Sequence, residues 1–335
     1  MRSLYSGVTG LRNHQTRMDV IGTNIANVNT VGFKGSRVTF RDVLYQTIGN
    51  PTAPSDGAEG PMRGGTNPTQ IGLGMMIASI DVLNTRAGPM TTDKPWDVYI
   101  DGEGYLAVYN PGDQQIYYTR VGDLNFDPAG NLVDGNGNIV IGFRPDEPVA
   151  QGDPLGDEDT WDDIPGMTVP GGLTPEQFNE WREGAIGESI EDSPWLLNVN
   201  FGDEQLYTSQ KIQQISIGPD GVIRAYVSGM GDDETGAAQL MDLGRIYLFK
   251  FPNNDGMQQV GNTYLLPTAN SGYPAIVVPG TNGSGPTITS RLEMSNVELA
   301  REFTDMIVTQ RGFQANSRII TVSDEMLQEL VNLKR

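Results

Sequence analysis

Residues 295–335 read SNVELAREFTDMIVTQRGFQANSRIITVSDEMLQELVNLKR. Leu299, Met306, Phe313, Ile320 and Leu327 recur there at a spacing of seven, and Phe303 and Val331 stand at the companion position four residues on. No proline breaks the run. Ser295 with Glu298 three residues later fits a capping box, in which hydroxyl and carboxylate each accept an otherwise unpaired backbone N–H. Lys334 and Arg335 put positive charge where the helix dipole favours it. The pattern predicts one helix from Ser295 to Arg335, roughly 60 Å long at 1.5 Å per residue. Its apolar stripe is narrow, because Gln310, Ser317 and Asp324 hold the companion position in mid-run. A helix packed on a globular core carries three or four apolar positions per two turns. The observed stripe is closer to a coiled-coil seam with polar interruptions, which needs a partner helix; an amphipathic surface helix is the alternative.

The first thirty residues supply a partner. Leu4, Leu11, Met18 and Ile25 recur at seven, with Val8 at the companion position and Gln15 and Gly22 interrupting it. Ser3 is the expected cap, and the pattern fades at Asn27–Thr30 before Gly32. Two helices of matching pattern at opposite ends predict an antiparallel pair with the remaining chain looped out between them.

Length and composition bound the rest. A chain of 335 residues holds two or three domains. Its 42 glycines and 21 prolines suit a turn-rich β architecture. The absence of cysteine excludes disulfides, thiolate metal sites and thiol nucleophiles. A formal charge of −20 argues against nucleic acid or an anionic membrane surface as partner. No run of eighteen apolar residues spans a membrane, and Met1–Gly7 lacks the apolar core of a signal peptide.

Between the helices the period changes. Residues 34–48, with Phe40, Val43, Leu44 and Ile48, predict a short helix or an extended segment. Residues 49–74, rich in Gly, Pro, Thr and Asn, read as a loop, either a linker or an arm laid against a neighbour. From residue 75 period-two runs predict strands: 77–82, 96–100, 105–109, 116–119 and 124–126. Turns at Asn110-Pro111-Gly112-Asp113, Asp127-Pro128-Ala129-Gly130 and Gly135-Asn136-Gly137-Asn138 make them antiparallel. Residues 215–223 echo residues 124–132, and strand patterns continue through 246–251, 263–266 and 275–278, so residues 206–290 read as the returning half of one β domain. Residues 145–195 hold fourteen acidic side chains against one basic, Arg182, a net of −13. Trp161, Phe178, Trp181 and Trp195 argue for a small core there, and Thr174-Pro175-Glu176-Gln177 starts a short helix. This stretch reads as a small, solvent-facing inserted domain.

Signals for chemistry are weak. Gly102-Glu103-Gly104-Tyr105-Leu106-Ala107 imitates a dinucleotide fingerprint, but a strand follows it where a helix is required. Asp134-Gly135-Asn136-Gly137-Asn138 has Ile139 where a calcium loop needs glycine; weak calcium binding by the acidic insert stays open. One histidine, His14, expected on a solvated helix face, and no cysteine nearly exclude a zinc site and a His-based triad. No catalytic residue, cofactor or metal ligand is therefore assigned.

Met18-Asp19-Val20-Ile21-Gly22-Thr23-Asn24-Ile25-Ala26-Asn27 followed by Thr30-Val31-Gly32-Phe33-Lys34 resembles the N-terminal signature of the bacterial flagellar rod and hook proteins, Thr23 being a departure from the usual second asparagine. The run from Ser295 through Leu327 resembles the matching C-terminal signature. Residues 100–105, 118–122 and 127–133 resemble that family's first β domain. The resemblance implies an α+β multi-domain subunit. Paired long terminal helices (1–30 with 295–335), coiled-coil-like, would be followed by a connecting arm (31–74), a discontinuous antiparallel all-β domain (75–144 with 206–294) and a small inserted outer domain (145–205). It implies a non-enzymatic structural role in the flagellar hook or basal body, as a self-assembling helical homopolymer exported without a cleaved signal by the type III apparatus. Its neighbours would be the rod, the hook cap and the hook–filament junction proteins, with no nucleic acid and no membrane as partners. Chain length, the acidic insert and the ending Val331–Arg335 favour the hook, a flexible joint transmitting torque, over the distal rod. Subunit packing is expected to rest on Leu4, Val8, Leu11, Met18, Ile25, Leu299, Phe303, Met306, Phe313, Ile320 and Leu327, with Asn24, Asn27, Gly32 and Phe33 as family motif positions. A reading from another class, a secreted acidic glycan-binding or hydrolytic β protein, would have no use for the matched terminal seams.

Overall fold

A computed structural model describes residues 2–54, 64–144, 149–150, 196–199, 212–227 and 239–333. They form two compact units: Met1–Val28 with Lys34–Leu83 and Val297–Arg335, and Asn29–Phe33 with Asn84–Asn296.

The first unit holds both long helices, α1 (Arg2–Ala26) and α2 (Leu299–Leu333), with four strands: β1 (Ser36–Asp42), β2 (Tyr45–Gly49), β3 (Thr69–Gly72) and β4 (Met75–Val82). The helices run as their patterns predict, but both caps differ from expectation. The Glu298 carbonyl accepts the Glu302 N–H at 3.0 Å, so the first helical turn closes on Glu298 and Ser295 lies outside it. Ser3 falls inside α1. Lys34–Ile48 is extended rather than helical. β1 pairs antiparallel with β4 across a bulge at Thr39/Phe40, and β2 pairs with β3, prolonged by a bridge between Thr52 and Thr66. The stretch 49–74 thus contains a ribbon rather than only a loop. The strand Met75–Val82, expected in the β domain, instead belongs with the helices.

Among its described residues the second unit is built of antiparallel strands, with one short 3-10 turn at Asn254–Gly256 and one parallel bridge between Glu103 and Ser284. Its strands are β5 (Pro89–Thr91), β6 (Val98–Ile100), β7 (Leu106–Asn110), β8 (Gln115–Thr119), β9 (Leu124–Phe126), β10 (Leu132–Asp134), β11 (Ile139–Val140), β12 (Gly142–Phe143), β13 (Val149–Ala150), β14 (Ile212–Ile217), β15 (Val222–Val227), β16 (Gln239–Ile246), β17 (Leu248–Lys250), β18 (Gln258–Gly261), β19 (Tyr264–Leu266), β20 (Ala275–Val277), β21 (Thr287–Thr289) and β22 (Arg291–Glu293). Seven strands form a sheet in the order β18-β19-β8-β7-β11-β10-β9, and β12-β16-β15-β14, with β13 also on β16, form another. Side chains alternate faces along a strand, and β7 is apolar on both. Leu106 and Val108 join a core with Leu124, Leu132, Ile223 and Ile246, while Ala107 and Tyr109 face Tyr118, Tyr247 and Phe249. That double burial makes 105–109 apolar on both faces, where the sequence reading expected a period-two alternation.

The two echoed hairpins are both present. In β9–β10 the Gly130 N–H closes on the Asp127 carbonyl, and in β14–β15 the Gly221 N–H closes on that of Gly218, each at 3.0 Å. Gly221 sits at φ +75° with no room for a Cβ, which would stand 2.7 Å from the Ile246 carbonyl oxygen. Leu196, Leu197 and Val199, expected in the acidic insert, are buried in the β core: Ile141 bridges Leu196, and Asn131 bridges Asn198. The remaining expectations for the insert, its helix and its tryptophans, lie outside the described residues. Among the described residues no helix is long and apolar enough to cross a membrane.

Candidate assembly surface

α1 and α2 pack against each other in antiparallel register. Gly7 faces Ile320 and Asn316, Gly10 faces Asn316, His14 faces Gly312, and Arg17 pairs with Asp305 at 3.1 Å. On α1 the seam therefore follows positions 7, 10, 14 and 17; on α2 it follows 305, 309, 312, 316, 319 and 323, where Thr309 and Ser323 are buried. Both series alternate steps of three and four, the heptad spacing of a helix seam. Their residues are mostly small or polar. Gly10 is needed for closeness: a Cβ there would stand 2.5 Å from the Asn316 amide nitrogen.

The predicted apolar heptads run one residue on from this seam in both helices, about 100° further round. In α1, Val8 is 42% exposed while Leu4, Leu11, Met18 and Ile25 are half-buried. In α2, Leu299 (40%), Phe303 (50%) and Leu327 are exposed, and Met306, Phe313 and Ile320 are half-buried. Ile320 meets the seam, its Cγ1 lying 3.3 Å from where a Gly7 Cβ would be. α2 adds exposed Ile307, Val308, Val322, Met326, Leu330 and Val331. Since α1 residue 7 lies opposite 319–320, the register carries α2 past the start of α1 for its last turns. The helix pair thus presents apolar side chains along its length that the described chain leaves uncovered.

The other flank of α1 rests on the strands of its own unit. Asn13 Nδ2 donates to the Met75 carbonyl at 2.7 Å, and the Arg17 guanidinium lies 5.9 Å from the Phe40 ring centroid. Asn24 is buried and bonds Ser36 twice, donating to its carbonyl at 2.8 Å and accepting its N–H at 2.9 Å. This motif asparagine ties the end of α1 to the start of β1. Asn27 closes the last turn, its Nδ2 donating to the Thr23 carbonyl at 2.9 Å. In the second unit Gly32 sits at φ +69° with its N–H on the Glu293 carbonyl at 2.8 Å, and a Cβ there would meet Val121 Cγ2 at 2.8 Å. The Phe33 N–H returns to the Thr30 carbonyl at 3.3 Å, and its ring is half-buried.

Electrostatics at the helix seam centre on His14. Burial, aided by the Arg17 charge, holds its imidazole below the ordinary value of 6.5. It is not on a solvated face as expected: the ring lies edge-on to Phe40 at 5.8 Å. Among the described residues no group of three or more metal-ligating side chains converges. The seam residues Gly7, Gly10, Thr309, Gly312 and Ser323 escape a search for apolar periodicity. The signal that marks them is glycine inside a helix, which costs about 1 kcal/mol against alanine unless closeness compensates.

Three family models match the chain. Residues 4–34 match flagella basal body rod protein, residues 99–225 the flagellar hook protein FlgE/F/G D1 domain, and residues 288–333 the flagellar basal body rod FlgEFG protein C-terminal region. The flagellar basal-body rod protein FlgG of Bacillus subtilis is 39% identical over 336 aligned residues, covering 100% of both chains. The flagellar hook protein FlgE of Borreliella burgdorferi is 31% identical over 450, again covering 100% of both. The FlgG of Caulobacter vibrioides is 28% identical over 336, with the same coverage. With its two terminal helices and its β unit each matched in place, the chain belongs to the flagellar hook and basal-body rod protein family.

Proposed function

We propose that the chain is the structural subunit of the flagellar hook, polymerising into a flexible tube that passes torque from rod to filament. In this reading the α1–α2 pairs of successive copies coil together as the inner wall of the tube. The antiparallel β unit forms an outer layer. The heptad residues from Leu4 to Ile25 and from Leu299 to Leu327 make the contacts between copies. The rod, the hook cap and the hook–filament junction proteins adjoin the polymer, and the subunit reaches its place through the type III apparatus. The observation that carries this reading is the apolar surface left open beside the helix seam. Burial of such side chains is worth about 1.5–3 kcal/mol each, and a second copy of the same pair supplies matching stripes.

The distal rod is the second reading. Contrary to the expectation from the sequence, chain length favours it: the FlgG relative aligns over 336 positions and the hook relative over 450. Electron microscopy of full-length protein concentrated into salt, beside a version lacking 1–30 and 296–335, tests the polymer reading. Tubes from the full chain alone support it; equal assembly of the truncated chain overturns it. Immunogold labelling of isolated hook–basal bodies separates the two readings, because label on the curved segment supports the hook and label confined to the straight segment assigns the rod.

A further inference from the structure

We propose that His14 is a pH-sensitive catch on the α1–α2 pair, holding the helices together while its imidazole is neutral and releasing them when it takes up a proton. The ring occupies a close approach in the seam. A Cβ built on Gly312 would stand 2.9 Å from both Cε1 and Nε2, so α2 offers glycine and no more at the point where the imidazole enters. Phe40 of β1 closes the third side. Nδ1 is buried without a hydrogen-bond partner, a state tolerable for a neutral acceptor and costly for an N–H donor bearing charge.

The charged groups around it do not receive an imidazolium. On α1 itself the neighbour is Arg17, of like sign. On α2, Asp305 is engaged by Arg17 at 3.1 Å, and Arg311 is exposed, with Gln314 as its contact at 3.5 Å. On β1 the contact is Phe40, and the flanking Arg41 and Asp42 are exposed. From β4, the Met75 carbonyl is engaged by Asn13. Among the described residues His14 makes no ion pair. Burial first and Arg17 second hold it below 6.5. The sign follows: above pH 6.5 the group is neutral with the pair open or closed, and nothing changes. As pH falls through 6.5 the open state takes up the proton first, so the closed pair loses stability down to the lowered value. The loss in the closed-to-open ratio is tenfold per unit of depression.

The attribution is clean because the sequence has one histidine and no cysteine, leaving His14 as the side chain that ordinarily titrates between pH 5 and 8. Asp97 and Asp242, raised by burial, act in the opposite sense, gaining stability as pH falls. The test uses the full chain. The Cε1 proton of its single histidine is titrated by NMR, and helix melting is followed at 222 nm from pH 8 to 5 in native protein and His14→Gln. The proposal expects a titration midpoint below 6.5 and a helix melting temperature that falls across this range in native protein and stays level in His14→Gln. A midpoint at or above 6.5, or the same pH slope in both proteins, overturns it. If His14→Gln does not fold, the native titration decides alone.

Discussion

Arg120→Met strands a carboxylate inside the β unit. Glu293 is 1% exposed and Arg120 10%. The guanidinium reaches Glu293 Oε2 at 3.3 Å, donates to the Gly102 carbonyl at 2.7 Å and lies 5.3 Å from the Tyr105 ring centroid. Glu293 Oε1 also accepts the Ala87 N–H at 3.1 Å, and the Glu293 carbonyl holds the Gly32 N–H. Methionine keeps much of the side-chain length and removes the charge. The buried Glu293 carboxylate then loses the guanidinium that faces it, a loss of about 3–5 kcal/mol. For a unit of this size each kcal/mol moves the melting temperature by about 2–4 °C, so the expected fall is about 6–20 °C. Replacing both residues by methionine removes the stranded charge and leaves the Ala87 N–H without its acceptor, which costs about 1–3 kcal/mol. The double variant is therefore expected to be more stable than Arg120→Met alone. Thermal and urea unfolding of the full chain, followed by near-ultraviolet circular dichroism, reads both. A loss below 1 kcal/mol for Arg120→Met, or a double variant less stable than the single, would refute the reasoning.

Asn24→Ala orphans the N–H and carbonyl of Ser36 and is expected to cost about 1–3 kcal/mol, seen as faster amide exchange at Ser36 and in α1; unchanged exchange there would refute it. Asp97 is raised above 3.8, chiefly by burial, so its ionised form costs stability as pH rises through the raised value. Asp97→Asn is expected to melt higher than native protein at pH 7 and level with it at pH 3, and the reverse order would sink the assignment. Leu299→Ser with Phe303→Ser alters exposed positions, so monomer stability should stay within about 0.5 kcal/mol while tube formation, followed by sedimentation, is lost. Native-like sedimentation would remove these residues from the assembly surface.

How much of this was legible in the sequence is clearest along the helices. The heptads of Leu4–Ile25 and Leu299–Leu327 locate both helices and their antiparallel relation, because apolar side chains report periodicity directly. The seam between them lies one residue back, on Gly7, Gly10, His14, Gly312 and Ser323, and a hydropathy pattern is silent about such residues. β7 and β8 were legible as strands from their aromatic and β-branched runs between turn signals, although burial on both faces departs from the period-two alternation expected of them. β4 was legible as a strand and not by partner, since pairing with β1 across some forty residues leaves no local mark. Leu196–Val199 were hidden by the acidic sequence before them.

The seam's composition in turn argues for the assembly reading. Three helix-interior glycines, 7, 10 and 312, together forgo about 3 kcal/mol of helix propensity, and small and polar partners return little apolar burial. A seam built this way brings two helices close with few apolar side chains set on each other, Ile319 and Ile320 against Gly7 being among them. Those side chains stand beside it in register on both helices, Leu11 and Met18 next to Gly10 and Arg17, Met306 and Phe313 next to Asp305 and Gly312. A pair meant to be stable alone would turn the apolar stripe inward. Here the 100° offset makes the helix pair a ridge with a shared apolar flank, and a second ridge of the same kind is the surface that covers it.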